Sequence, residues 1–530
     1  MRNTVRERRD AVTGQFRERR RLSGLLKYRR SCILAGPVHV ARWEFLFELD
    51  RSSGRSCVQQ IAQALRADIQ RGRLRPGQRL PGSRTIAKTL GVHRQTVVSA
   101  TDELIAEGWL VSTPASGTFV AGPPQEAPKT RERTARPPRR MATRFAVPLT
   151  PGPDPELPLT VPEGALLMSG SRPDLRLVPA DLIGRVHRRV LRKHAPELLS
   201  YNHPAGLLDL RRELAAMLSA TRGLAVDHEG ILVTRGSQMA LALTARALIR
   251  PGDAIAVEHP GYHAAWDAFR IAGAEIVPVP VDDHGFDVAA LARLLQRRSI
   301  RAVYVTPHHQ FPTTVTMTGP RRLELLQLAA GHRFAIIEDD YDHEFHYRGR
   351  PVLPIASSDA AGVVVYLGTL SKVLAPGLRL GFVAAPADLI AQLAAYRSHL
   401  DLQGDALLER TIAELLEGGL IQRHVRKVRR VYRSRLATIV AALRKHLAGF
   451  LRFQEPSGGT AIWVRTRDAR TMVRWSRAAR EHGVIFEPPG TFTLDGTPEA
   501  GTRLGFAPLD EDEIGQAVKR LAAATSSLFP

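Results

Sequence analysis

The chain has 530 residues, 44% hydrophobic and 24% charged, with a formal net charge of +23. That length exceeds one ordinary core, so two or more domains of a soluble globular kind are expected. No apolar run approaches the ~18 residues that span a bilayer, and the charged N-terminus is unlike a secretory signal. The only cysteines, Cys32 and Cys57, make neither a disulfide framework nor a zinc site. A reducing cytoplasm is therefore expected, with no membrane partner and no metal centre.

The charge is unevenly placed. Residues 1–150 hold 29 Lys and Arg against 12 Asp and Glu, while the rest hold 46 against 40. A basic first third suits a polyanion such as DNA, although a solubilising surface would look the same on charge alone. Residues 1–42 ("RERRD", "RERRRL") lack a sustained apolar period and are expected to form a disordered basic arm. Core-like residues begin at "WEFLFELDR".

Residues 43–121 form the first expected domain. Val58 to Gly72 carries apolar residues at helical spacing. Ser83 is expected to N-cap a short helix, "RTIAKTL", with Gly91 as its stop. A second helix follows over "RQTVVSATDELIAEG", then two short strands in "WLVSTPASGTFVAG". Two helices joined by a tight turn and followed by a hairpin make a winged helix-turn-helix. Its second helix would enter the major groove N-terminus first. That end offers Arg94, Gln95 and Thr96. Arg binds guanine bidentately, Gln binds adenine, and Thr takes phosphate or a thymine methyl. Arg84 can clamp phosphate, and Gly117 at the wing tip lets the backbone approach the sugar-phosphate. A small helical domain with an exposed polar helix end is the plainer alternative.

Residues 122–158, rich in Pro, Arg and Thr, read as an extended linker. Residues 159–530 alternate strand-like runs with helical segments: "GILVT", "AIAVEH", "AVYVTP", "FAIIEDD" and "VVVYLGT". This α/β alternation implies a parallel sheet with crossover helices.

Within it, "YLGTLSKVLAPGLRLGF" places Lys372 after a strand and a Gly-Thr-Leu-Ser turn. A lone lysine is usually a solvated charge, but a lysine amine can also form a Schiff base with the aldehyde of pyridoxal phosphate. The other parts that such a cofactor needs are present. "TRGSQMAL" puts Gly236, Ser237 and Gln238 at a helix start, where free N–H groups favour phosphate. Thr369 and Arg379 can complete the cup. Asp339, at the end of "FAIIEDD", can keep the pyridinium protonated, and Tyr341 can reach the phenolic oxygen. Tyr262 can stack on the ring, and His309 and Gln310 come from a strand end near the same oxygen. Arg503 is a candidate grip for an effector carboxylate. Each residue alone has an ordinary explanation, such as a helix cap for Asp339 or a surface charge for Arg503. Their joint order is the signal.

Two resemblances follow. Cys57 to Val120 resembles the GntR-type winged helix through "ALRADIQRGRLRPGQRLPGSRTIAKTLGVHRQTV" and "ELIAEGWLVSTPASGTFV". The later motifs resemble the fold-type-I aminotransferases, and the whole from about Trp43 resembles the MocR branch of the GntR regulators. That resemblance implies an N-terminal winged helix-turn-helix, a C-terminal pyridoxal-phosphate-binding aminotransferase-like domain, and a head-to-tail homodimer on an operator with two half-sites. It also implies DNA contacts at Arg84, Arg94, Thr96 and Gly117. Two departures stand out. The family usually has Gly after "HQFPT", where this chain has Thr314. Members that sense γ-aminobutyrate carry Arg where this chain has Ala264, so a second carboxylate grip is missing.

The expected function is a transcription regulator whose DNA occupancy responds to pyridoxal phosphate or to an amine that reacts with it. The alternative is a working aminotransferase with an accessory DNA-binding domain, because a fold alone does not decide function.

Overall fold

The computed structural model describes residues 49–50, 53–113, 116–122, 147, 161–170, 172–349, 352–526 and 528. The expected basic arm, 1–42, lies outside them, as does the expected 122–158 linker apart from residues 122 and 147. The chain divides into two compact units, Met1–Pro148 and Leu149–Pro530.

In the first unit, Cys57–Gln70 is a helix opened by a capping box between Ser56 and Gln59. Ile61 and Leu65, one turn apart, face the core. Ser83 was expected to cap the next helix, but Gly82 holds that position and Ser83 is the first helical residue of Ser83–Leu90. The Ser83 hydroxyl instead accepts from Arg94 Nε at 3.2 Å. Gly91 closes this helix at φ 62°, a conformation that costs glycine least. The helix Arg94–Ala106 then starts on His93, whose Nδ1 accepts from the Gln95 N–H. Leu110–Thr113 and Gly117–Val120 form the antiparallel wing. Residues 77–80 lengthen it, because Leu80 N–H donates to Thr118 O and Val120 N–H to Gln78 O, both at 2.9 Å. Ile61, Leu65, Ile86, Val97, Leu104 and Val120 bury one core beneath the three helices and the wing.

The second unit is built on an eight-stranded sheet. Its order is Ile231–Thr234, Gly381–Ala384, Val364–Thr369, Ala335–Asp340, Ala302–Val305, Ala254–His259, Glu275–Asp282 and Gly285–Phe286. From Val364–Thr369 to Glu275–Asp282 the strands run parallel. Ala254–His259, Ala302–Val305 and Val364–Thr369 are buried along nearly their whole length, as continuous apolar runs covered on both faces, whereas Glu275–Asp282 near the edge alternates. The sheet is not wholly parallel as expected. Gly381–Ala384 inserts antiparallel to both its neighbours, and Gly285–Phe286 pairs antiparallel at one edge.

The parallel strands deliver their carboxyl ends to one edge, the usual place for a ligand crevice in such sheets. A smaller antiparallel sheet, Arg452–Phe453, Ala461–Arg465 and Gly501–Gly505, packs with the helices Leu420–His446, Ala469–Glu481 and Glu511–Ser526. It carries Arg503. Among the described residues no helix is long and apolar enough to cross a membrane.

Candidate functional site

Two places carry chemistry, one in each unit. In the first unit the turn between the paired helices leaves Arg84, Arg94 and Gln95 exposed and Thr96 half-buried. Arg94 is steadied by the Ser83 hydroxyl, so its guanidinium is partly oriented before any DNA arrives. Gly117 has φ 110°, and a Cβ there would stand 2.9 Å from Arg79 Nε. The positive φ and the crowding of Arg79 favour glycine in the wing for its own packing.

In the second unit a cleft of about 300 Å³ opens at the carboxyl edge of the sheet. Of the residues named from sequence, Ser237, Gln238, Tyr262, Asp339, Tyr341, Thr369, Lys372, Arg379 and Arg503 line it. Gly236 lies just behind as the N-cap of the helix Ser237–Leu248, at φ 82°. A Cβ on Gly236 would stand 2.8 Å from Arg379 Nη2. Only glycine lets that guanidinium lie across the helix start, where the first amides and the helix dipole favour an anion.

His309 and Gln310 are not among the lining residues. Gln310 braces its own loop: its Nε2 donates to Pro260 O and Phe311 O, and its Oε1 accepts from Thr313. His309 turns away to Asp342, with Nδ1 2.8 Å from Oδ1, and only its backbone oxygen reaches the cleft wall, accepting from Tyr341 Oη at 2.8 Å.

Thr314 occupies the turn where glycine was expected. It has φ 63°, its N–H donates to Gln310 O at 2.7 Å, and Gln310 N–H donates to Val315 O. The turn forms, but a β-branched residue in the left-handed region is strained by roughly 1–3 kcal/mol. Part of that returns as glycine's greater chain entropy on unfolding. Thr314→Gly is thus expected to stabilise the unit by about 0.5–1 kcal/mol, read from a denaturant midpoint. A lower midpoint would show that threonine is comfortable there. Ala264 is buried near the start of the helix His263–Ile271 and brings no charge.

Six residues that line the cleft were missed: Gly170, Ser371, Pro376 and three that shape its polar and aromatic walls. Tyr304 donates its hydroxyl to Asp339 Oδ2 at 2.9 Å. Thr306 donates its N–H and hydroxyl to the buried Glu258. Phe311 stands edge-on to Tyr262, with ring centroids 5.1 Å apart. The one available signal was a tyrosine inside the otherwise aliphatic strand "AVYV".

Electrostatics sharpen the picture. Burial pushes the Asp339 carboxyl up to about 7, against the Tyr304 hydrogen bond. Burial, helped by Arg503, brings the Lys372 amine down to about 8. Such opposed shifts inside one cleft mark a functional site more often than a structural one. Asp339 Oδ1 and all three Arg503 guanidinium nitrogens are buried without a hydrogen-bond partner. The Arg503 guanidinium carbon lies 4.8 Å from the Phe311 ring centroid and 5.5 Å from that of Tyr341. A Cβ on Gly170 would come within 2.6 Å of Arg503 Nε, so Gly170 clears its path. Orphaned buried groups are costly unless a ligand completes them.

Comparison with known proteins agrees with both halves. Residues 57–120 match the family model "Bacterial regulatory proteins, gntR family", and residues 177–521 match "Aminotransferase class I and II". The chain is 34% identical, over 91% of its length and 96% of the relative's, to a Rhizobium meliloti protein described as a probable rhizopine catabolism regulatory protein, MocR. It is 30% identical to the HTH-type transcriptional regulator TauR of Rhodobacter capsulatus, over 88% of this chain and 96% of that one. Among solved structures it resembles LysN, the α-aminoadipate aminotransferase of Thermus thermophilus complexed with N-(5'-phosphopyridoxyl)-L-leucine. The TM-score is 0.65 at 31% identity, covering 69% of this chain and 93% of that one. The cofactor of this fold is pyridoxal phosphate, and the orphaned Asp339 and the glycine-floored cradle under Arg379 fit it. The chain therefore belongs to the MocR-type GntR regulators, DNA-binding proteins that join a winged helix-turn-helix to a class I and II aminotransferase unit.

Proposed function

We propose that this regulator's DNA occupancy is set by pyridoxal phosphate held at Lys372, or by an amino compound that reacts with it there. The observation that carries the reading is the Arg503 guanidinium, buried in the same cleft as Lys372 with no hydrogen bond to the protein. A buried guanidinium with donors to spare fits a site built for an incoming carboxylate, which an amino acid brings together with a reactive amine.

The remaining assignments support this reading. When bound, the cofactor supplies an aldehyde for an amine and an electron-poor ring. Lys372 offers the attacking nitrogen, with its amine brought towards neutrality by burial. Asp339, fixed by the Tyr304 hydroxyl, would hold a proton at the ring nitrogen. Tyr341, oriented by the His309 carbonyl, would serve the phenolic oxygen. Tyr262, braced by Phe311, would pack against the ring. Ser237, Gln238, Thr369 and Arg379 would hold the phosphate. Arg503, in its dry aromatic walls, receives the effector carboxylate. Ala264 adds no second cation, so an effector with one carboxylate fits better than one that needs two grips.

In the other unit, Arg94, Gln95 and Thr96 read base edges while Arg84 and the wing at Gly117 hold the backbone. A head-to-tail homodimer acting in the cytoplasm would present two such readers to two half-sites. Arg94→Ala is expected to weaken specific binding by about 1–3 kcal/mol and to relax preference at one position per half-site. A binding-site selection on randomised DNA checks this, and an unchanged preference would remove Arg94 from base reading. Turnover is the competing reading, because the cleft keeps the residues that a transaminase would need. Steady formation of keto acid from amino acids by the purified protein would favour it.

A further inference from the structure

Behind the cleft wall lies a second constellation that the cofactor reading leaves unused. His308, His309 and His346 place one ring nitrogen each within 4.8 Å of one another. His308 and His309 are 4% and 1% exposed, and His346 is part-buried. Both nitrogens of His308 and Nε2 of His309 are buried without a hydrogen-bond partner. Three orphaned imidazole nitrogens buried side by side are costly unless something binds them.

The geometry points to a transition-metal site of the three-histidine class, taking a divalent first-row ion such as Zn²⁺ with an open fourth position. Neutral imidazole suits such ions, and Zn–N distances of about 2.0–2.1 Å in a tetrahedron put ligand nitrogens about 3.4 Å apart. From within 4.8 Å, the three nitrogens would close by up to about 1.4 Å to bind it. His309 is already arranged as a ligand: its Nδ1 is 2.8 Å from Asp342 Oδ1. That carboxylate-to-histidine contact fixes the tautomer and leaves Nε2 as the donor. A Cβ on residue 458 would stand 2.7 Å from His309 Nε2, so Gly458 keeps the space beside that nitrogen clear. Asp342 brings negative charge beside the site, while Asp340 is already engaged by Tyr366 and Arg222. Asp340 Oδ2 lies 2.9 Å from Nδ1 of a fourth imidazole, His343, whose ring is 4.7 Å from that of His308.

The ion would join the loop bearing His308 and His309 to the segment bearing His346, which bridges to Gly458. None of this depends on pyridoxal phosphate.

The test uses the full chain, stripped with a chelator and titrated with Zn²⁺ or Co²⁺. The expected result is one equivalent retained after desalting, visible bands of four- or five-coordinate Co²⁺, and a thermal midpoint several degrees higher with metal. His308→Ala and the milder His346→Gln should each lower retention at least tenfold. Lys372→Ala and the exposed His399→Ala should retain the full equivalent. Failure of wild type to retain an ion, or equal retention by the His308→Ala/His346→Gln double variant, would overturn the site. Because the wild-type titration is decisive alone, a variant that failed to fold would not rescue the idea.

Discussion

Lys372→Ala is expected to leave the fold intact and to abolish covalent retention of pyridoxal phosphate. Lys372 is the only lysine among the residues lining the cleft, and it sits beyond the strand Val364–Thr369, so truncation removes no core packing layer. Borohydride reduction of the cofactor-loaded wild type followed by peptide mapping should place the label on Lys372. A label on another lysine would refute the assignment. The pH dependence has a definite sign. The neutral amine is the nucleophile, and burial with Arg503 has lowered its pKa to about 8. The rate of cofactor uptake should therefore climb as pH rises towards 8 and level off above it. A rate still climbing near the ordinary lysine value of about 10.4 would mean that the reacting amine is solvated.

Asp339→Asn should have the next largest effect. The substitution keeps the shape and leaves an oxygen for the Tyr304 hydroxyl, but it removes the charge that faces a protonated ring nitrogen. Breaking one side of a buried charged pair costs roughly 2–5 kcal/mol, so cofactor affinity should fall at least thirtyfold. DNA affinity of the cofactor-free protein should not change, because Asp339 belongs to the second unit. Equal cofactor affinities of wild type and variant in a spectroscopic titration would contradict the role.

Much of this site was legible because the chain announces strand ends. Asp339 is the penultimate residue of the strand Ala335–Asp340, and Lys372 follows Val364–Thr369 by three residues. Parallel strands bring such ends to one edge whatever their separation in sequence. Direction was less legible. His309 and Gln310 stand next to Phe311, which does line the cleft, yet both point elsewhere, because a loop's side chains follow its hydrogen bonds and not its proximity to a site. Tyr304 was hidden for a similar reason. A tyrosine in an apolar strand reads as core, and only the register of Tyr304 with Ile337, two residues from Asp339, shows where its hydroxyl goes. The antiparallel insertion of Gly381–Ala384 was hidden because four residues after the lysine turn carry no period of their own. Ser83 as a cap failed by one position, within the normal slippage of helix ends. Thr314 shows the reverse case: the expected glycine is missing, but the surrounding hydrogen bonds hold threonine in glycine's conformation.

The central claim, that the cleft governs the DNA reader, is tested most directly by a footprint on the regulator's own intergenic target. It is run with and without pyridoxal phosphate, for wild type and Lys372→Ala. Two half-sites should be protected. In wild type the affinity or the tolerated half-site spacing should change when the cofactor is added, because a ligand that favours one of two states shifts their populations. In Lys372→Ala the two footprints should coincide. Identical wild-type footprints and affinities in both conditions would contradict cofactor control while leaving DNA binding by Arg94 and its neighbours intact.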